Sequence, residues 1–220
     1  SFTLTGYIEG LATITGHSEK YGLIKYYAIN SSLLLLYTIA FPGLANLPAN
    51  RIIWSAKNRY LFTQHNGKAN SCKPLHAYCL EFTAPAALFN QIPAMIKNTL
   101  DNYFGLKTGF EEREMPCLVL SAGKRFKRIP KATKELVSTL DEKDAIKRLY
   151  GPSEQLCNYL NMHLDVPVVN GIAGELVDIT FPDEPLSLDI LKAWLFIYGF
   201  ALNSSVQKIM VFTINDANGV

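Results

Sequence analysis

The sequence predicts an α+β protein of two similar helix/sheet halves, each ending in a helix, a glycine and a β-hairpin, packed as one unit. Three observations predict it. Apolar residues at Ile92, Met95, Ile96, Leu100, Tyr103 and Phe104 follow helical spacing and mark one buried face. Between Ala77 and Thr83, Tyr78, Leu80 and Phe82 alternate with Cys79, Glu81 and Thr83, the period of a half-buried strand. The helix–glycine–hairpin pattern of Ile92–Ala122 then recurs 94 residues later, Phe104-Gly105-Leu106 corresponding to Tyr198-Gly199-Phe200. Met115, Cys117 and Leu120 fall opposite Ile209, Val211 and Ile214. A lone apolar helix face or half-apolar sheet face must be covered, so the halves are expected to pack together. The division is residues 1–123, a first α+β half; 124–148, a charged connection; and 149–220, a second α+β half.

The elements follow in order. Phe2, Leu4, Tyr7 and Ile8 give an extended opening interrupted by Gly6 and Gly10, and Leu23–Tyr27 reads as a strand. Asn30 or Ser31 is placed to cap a helix over Leu33–Ala40, with Leu33, Leu36, Tyr37 and Ala40 on its buried face and Pro42-Gly43 stopping it. Arg51–Trp54 and Tyr60–Phe62 look like strands, with a polar loop from Gln64 to Lys73. Pro93 is tolerated in the first turn of the helix that follows, and Gly105 supplies its left-handed cap. Gly109–Glu114 reads as the turn of a hairpin returning through Cys117–Leu120.

Lys124, Arg125, Lys127, Arg128 and Lys131 form a basic run, which Glu135, Asp141, Glu142 and Asp144 answer at once. That pattern suits a solvated connection better than an anion site. Ser153 is placed to cap a helix carrying Leu156, Cys157, Leu160 and Leu164. Pro167 points to an edge position for Val166–Val169, and Asn170-Gly171 to a turn with positive backbone angles. Leu176–Phe181 alternates as a strand. Ser187 caps the last helix, whose buried face carries Leu191, Trp194, Leu195 and Tyr198, and Gly199 stops it. Ala201–Ser204 and Ile209–Ile214 read as a closing hairpin.

The chain has 220 residues, 49% apolar and 18% charged, with a net charge of +2. That balance predicts neither nucleic-acid binding nor a polybasic membrane anchor. The longest apolar run, around Leu33–Phe41, is too short to insert directly across a bilayer. Ser1–Leu4 lacks the basic start and apolar core of a signal peptide, as expected of an excised fragment or a mature chain.

Reactive clusters are hard to find. Cys72, Cys79, Cys117 and Cys157 form no C-x-x-C pair, and His17, His65, His76 and His163 are scattered, so no metal is expected. Cys72 and Cys79 can bridge across a turn in an oxidising compartment; otherwise Cys79, Cys117 and Cys157 are small core residues. Glu111, Glu112 and Glu114 flank Arg113 in a solvated stretch, unsuited to general acid–base work. Ser121 has no G-x-S-x-G elbow, and no glycine-rich phosphate loop is present, so neither catalytic residues nor cofactors are expected. Trp54, Tyr60 and Phe62 are the candidate ligand groove, with Trp194 and Tyr198 as further aromatics; core packing is the competing reading of all of them.

Several segments carry a family resemblance. They are Leu33–Phe41 with Pro42-Gly43, Asn50-Arg51-Ile52-Ile53-Trp54 with Arg59-Tyr60, Met95–Tyr103 with Phe104-Gly105-Leu106-Lys107, and Glu112-Arg113-Glu114-Met115-Pro116. Leu156–Leu164 with Asp165–Val168, Gly171-Ile172-Ala173-Gly174 and Leu191 to Val211 complete the set. In these the chain resembles the uncharacterised soil-associated bacterial domain family. Its members lie C-terminal to a thioredoxin-like thiol–disulfide oxidoreductase domain or follow a membrane sensor segment. The resemblance implies export to an extracytoplasmic, periplasmic location and brings no catalytic residues. The expected function is a non-enzymatic binding or interaction domain beside a redox or sensor module, taking a peptide or protein partner by sheet addition. The alternative is a substrate-selecting accessory region of a thiol–disulfide oxidoreductase.

Overall fold

A computed structural model describes residues 1–57, 76–129, 135–140, 142, 146–182 and 187–217. Helix and sheet are mixed, as an α+β chain requires. The elements are β1 (Phe2–Gly6), β2 (Ile14–Lys20), β3 (Leu23–Ser32), α1 (Leu33–Ala40), β4 (Ile52–Trp54), β5 (Ala77–Pro85), α2 (Ile92–Phe104) and β6 (Leu106–Ala122). Then come β7 (Val137–Ser138), β8 (Arg148–Pro152), α3 (Ser153–His163), β9 (Val168–Asn170), β10 (Leu176–Thr180), α4 (Leu188–Ile197) and β11 (Phe200–Asp216). They fall into two compact units: Ser1–Leu47, Ile52–Glu111 and Phe212–Val220 in the first, Pro48–Arg51 and Glu112–Val211 in the second. The units are assembled from separated stretches of chain, so their limits fall elsewhere than residues 123 and 149.

In the first unit a four-stranded antiparallel sheet, ordered β1-β5-β3-β2, turns one face to α1 and α2. Leu33, Leu36, Tyr37 and Ala40 of α1 are buried, as the spacing predicts, together with Ile92, Ile96 and Leu100 of α2 and Leu80 and Phe82 of β5. The helix cap is corrected. Ser32, not Asn30 or Ser31, is the N-cap, its hydroxyl accepting from Leu35 N–H at 3.3 Å. The unit also holds β4, paired in parallel with Phe212–Ile214 of β11, which in turn neighbours β6.

In the second unit, β10, β8 and β7 form an antiparallel sheet in that order, and β9 runs parallel to Leu118–Leu120 of β6. The core holds Leu118, Leu120, Leu149, Leu156, Leu160, Val168, Val177, Ile179, Leu191, Leu195 and Phe200. Pro167 precedes β9, which is an edge strand, where a missing donor is harmless. Ser153 does not cap α3: it is the first helical residue, wholly buried, and its hydroxyl donates to Ile172 O at 2.9 Å. Gly171 does not adopt a positive φ either. It is needed because a Cβ there would lie 2.8 Å from Leu120 O, where its own N–H docks.

Both hairpins are also corrected. Leu106–Ala122 and Phe200–Asp216 are single strands of 17 residues. Their polar middles do not turn, because the two strands are neighbours and answer each other. Thr213 Oγ1 donates to Gly109 O in the first unit; in the second, Lys208 pairs with Glu112 at 2.6 Å and Ser121 Oγ donates to Ala201 O. A ladder partner satisfies a polar strand's backbone as well as an apolar one's. Tyr60–Phe62, the loop at Gln64–Lys73 and Lys131, Asp141 and Asp144 of the charged connection lie outside the described residues.

A left-handed glycine launches each long strand: Gly105 at φ 63° and Gly199 at φ 87°. The environments differ. A Cβ on Gly105 meets nothing within 4 Å, whereas on Gly199 it would stand 2.6 Å from Phe126 N and 2.7 Å from Arg125 O. Gly105→Ala should therefore cost about 1 kcal/mol in urea unfolding, the backbone term alone. Gly199→Ala should cost at least about 2 kcal/mol, since a rigid backbone must also move; equal losses would contradict the difference in packing.

Candidate functional site

Buried polar groups show where side-chain chemistry is committed. In the first unit Asp101, near the end of α2, accepts from Tyr37 Oη at 2.7 Å, Thr108 Oγ1 at 2.8 Å, Thr108 N at 3.3 Å and Lys97 Nζ at 2.7 Å. Burial first, then the neighbouring carboxylate, pushes the Tyr37 hydroxyl far above its ordinary range, so it only donates. Every partner comes from the protein, and the carboxylate ties α1, α2 and β6 together.

In the second unit the corresponding work falls to amides. Asn161 Nδ2 donates to Cys157 O at 3.0 Å and Val168 O at 2.9 Å, and its Oδ1 accepts from Val168 N at 2.8 Å. Asn50 Nδ2 reaches Leu164 O at 2.9 Å, covering the end of α3, and Arg51 donates to Val168 O at 3.0 Å. Cys157 Sγ donates to the same Val168 carbonyl at 3.4 Å. Burial pushes the Cys117 and Cys157 thiols up, and the Arg51 guanidinium only partly opposes it. Both thiols stay protonated at neutral pH and are poor nucleophiles.

The face of the β1-β5-β3-β2 sheet opposite α1 and α2 is different: it is open. A groove of about 490 Å³ crosses it, lined by Thr3 and Thr5 of β1, Lys25 and Tyr27 of β3, Cys79 and Glu81 of β5, and Ile8 beyond β1. Antiparallel register brings these side chains together: Thr3 and Tyr27 both lie opposite Glu81, and Thr5 opposite Cys79. Tyr27 lies flat towards β2, because a Cβ on its cross-strand neighbour Gly16 would be 2.5 Å from the hydroxyl. Lys25 and Glu81 pair at 2.6 Å, both well exposed, which orients them and stabilises little.

Asn30 holds Ile8, one of the residues that line this groove. It sits in a β-bulge, where the β3–β5 register shifts between Ala28 and Ser31, and takes φ 48°, which asparagine tolerates. Its side chain accepts from Ile8 N–H at 2.8 Å and donates to Ile8 O and Leu11 O, each at 2.8 Å. Its own N–H points at Cys79 Sγ, 3.3 Å away. Cys79 is a free, nearly buried thiol facing an amide rather than an imidazole. Sequence reading places Asn30 at a helix cap because polar residues before an apolar run look alike whether they cap or bulge.

Of the aromatics singled out from sequence, Trp54 is half-buried on β4 and packs against the core of the first unit. Tyr60 and Phe62 lie outside the described residues. Trp194 donates its indole N–H to Thr180 O at 2.8 Å and, with Tyr198, packs on the core of the second unit. Among the described residues no cluster of three His, Cys, Asp or Glu side chains is disposed to hold a metal ion, and no helix is long and apolar enough to cross a membrane. No family model matches the chain, and neither a curated protein nor a solved structure is similar to it.

Two outcomes follow. Asn30→Gly keeps the backbone permissive but removes the clamp; the Ile8 amide should lose its protection in hydrogen exchange, with about 1–2 kcal/mol of stability. Protection unchanged would refute the clamp. Raising the pH from about 8 towards 10 should lower stability, because the unfolded chain ionises its thiols and tyrosines first while Cys117, Cys157 and Tyr37 resist when folded. Urea titrations across that range measure it, and Tyr37→Phe should flatten the alkaline slope while costing about 1.5–3 kcal/mol at neutral pH.

Proposed function

We propose that this chain is a non-enzymatic binding domain that takes an extended segment of a protein partner alongside strand β1. The observation that supports this is the edge itself. β1, Phe2-Thr3-Leu4-Thr5-Gly6, pairs only with β5 among the described residues and has no proline or charge, the usual guards of an exposed edge. An added strand finds its backbone partners there. Its alternate side chains fall beside Thr3 and Thr5, at the wall of the open groove.

The binding reading also draws on how the buried polar groups are used. Asp101, Asn161, Cys117 and Cys157 are turned inward to structural partners, while Tyr27, Lys25, Glu81 and the threonines face outward. Placement outside the cytoplasm, beside a redox or sensor module, rests on the family resemblance. The internal repeat belongs to the same proposal. Strand–helix–strand–strand–helix–long strand describes both β3-α1-β4-β5-α2-β6 and β8-α3-β9-β10-α4-β11, each long strand following a left-handed glycine.

Selecting displayed random peptides against the whole chain tests the binding mode. Selected peptides should protect the amides of Phe2–Gly6 from exchange, and a Thr3→Lys/Thr5→Lys variant should weaken them at least about tenfold by charging the edge. Peptides that ignore that variant, or a selection yielding none, would refute the reading.

A further inference from the structure

In the second unit the basic run and helix α4 come together in a way that the chain's near-neutral total charge conceals. Helix α4 carries apolar side chains on its exposed side as well as its buried one, with Asp189 in its first turn the acidic residue exposed among them. Leu191 and Leu195 enter the core, while Ile190, Phe196 and Ile197 are 55%, 50% and 64% exposed on the opposite side. The segment after β6 folds over the end of this helix. Gly123 N–H donates to Gly199 O at 2.8 Å, and the backbone of Arg125 and Phe126 lies directly against Gly199. Arg125 is thereby carried over the Phe196 ring, 5.1 Å from its centroid.

Arg125 and Lys127 border a cleft of about 510 Å³ whose walls include Val177, Ile197, Phe200 and Asp178. The acid is already engaged, Asp178 with Arg148 at 3.6 Å, and Arg128 is held by Glu175 at 3.1 Å. Lys124, Arg125 and Lys127 have no ion-pair partner among the described residues. Arg125 and Lys127, without an ion-pair partner among the described residues, thus stand beside Phe196 and Ile197, apolar side chains that face water, a pairing that suits an anionic and apolar partner together.

We propose that this face of the second unit docks on a lipid bilayer carrying anionic headgroups. Ile190, Phe196 and Ile197 enter the boundary between headgroups and acyl chains, and Arg125 and Lys127 hold a phosphate-bearing headgroup over the cleft. The exposed apolar side chains stand on the convex surface of a helix. A deformable bilayer covers such a surface, whereas a peptide needs a groove for its own side chains. The docking is peripheral, and it is independent of partner binding at β1.

Co-sedimentation of the whole chain with phosphatidylcholine vesicles, with and without phosphatidylserine, tests it. Binding to the anionic vesicles should exceed that to neutral ones at least about tenfold and weaken as salt is raised. Lys127→Gln should reduce it about fivefold, and Ile197→Glu or Ile190→Glu about tenfold or more. Tyr21→Ser, at the exposed tip between β2 and β3, should leave binding unchanged, and thermal unfolding confirms that each variant is folded. Failure to sediment, equal binding to both vesicle types, or indifference to both kinds of substitution would overturn the proposal. So would displacement by free glycerophosphoserine, which would mean headgroup capture, or equal retention on polyglutamate, which would mean an acidic polypeptide.

Discussion

The ladder between two neighbouring strands of 17 residues, β6 and β11, is the constraint that everything else answers to. Each strand serves both units. β6 gives Leu106 to the core of the first and Leu118 and Leu120 to that of the second, while β11 gives Phe200 and Leu202 to the second and Phe212 and Ile214 to the first. Between those apolar ends the strands are polar and exposed, and burial does nothing to keep them extended. Backbone hydrogen bonding to a neighbour does it instead, helped by contacts such as Lys208 with Glu112. A short parallel strand pairs with each of them, β4 with β11 and β9 with β6.

That arrangement explains where the polar side chains of the interior go. Helices that pack beside a long strand must be anchored at a set height along it. In the first unit a carboxylate does this, Asp101 joining α1 and α2 to Thr108 of β6. In the second unit amides do it, Asn161 bridging α3 and β9 while Asn50 covers the helix end. Charge and donor capacity are spent on architecture. The two proposed binding surfaces lie where these networks do not reach: the outer face and edge of the β1-β5-β3-β2 sheet, and the outer face of α4.

Those surfaces are also where local sequence rules are broken. A strand edge without charge is normally avoided, and so is a helix with apolar residues facing water. Asn30 in a left-handed bulge and Gly199 pressed against Arg125 and Phe126 are further departures, and each lies next to one of these surfaces.

Periodicity and punctuation by themselves determined the four helices, the buried face of α1, the cap at Gly105 and the edge position of β9. Each depends on neighbours within a turn or two of chain, so the residues concerned carry the whole signal. Only the tertiary structure decided that Gly109–Glu114 and the stretch after Ser204 stay extended, since a polar segment turns or continues according to whether another strand lies beside it. The groove was equally hidden. Thr3, Tyr27 and Glu81 are unremarkable in isolation, and it is antiparallel register that makes them neighbours. Likewise the basic run reads as a solvated connection from its charges, and only the close approach of Gly123 to Gly199 sets it against the exposed face of α4.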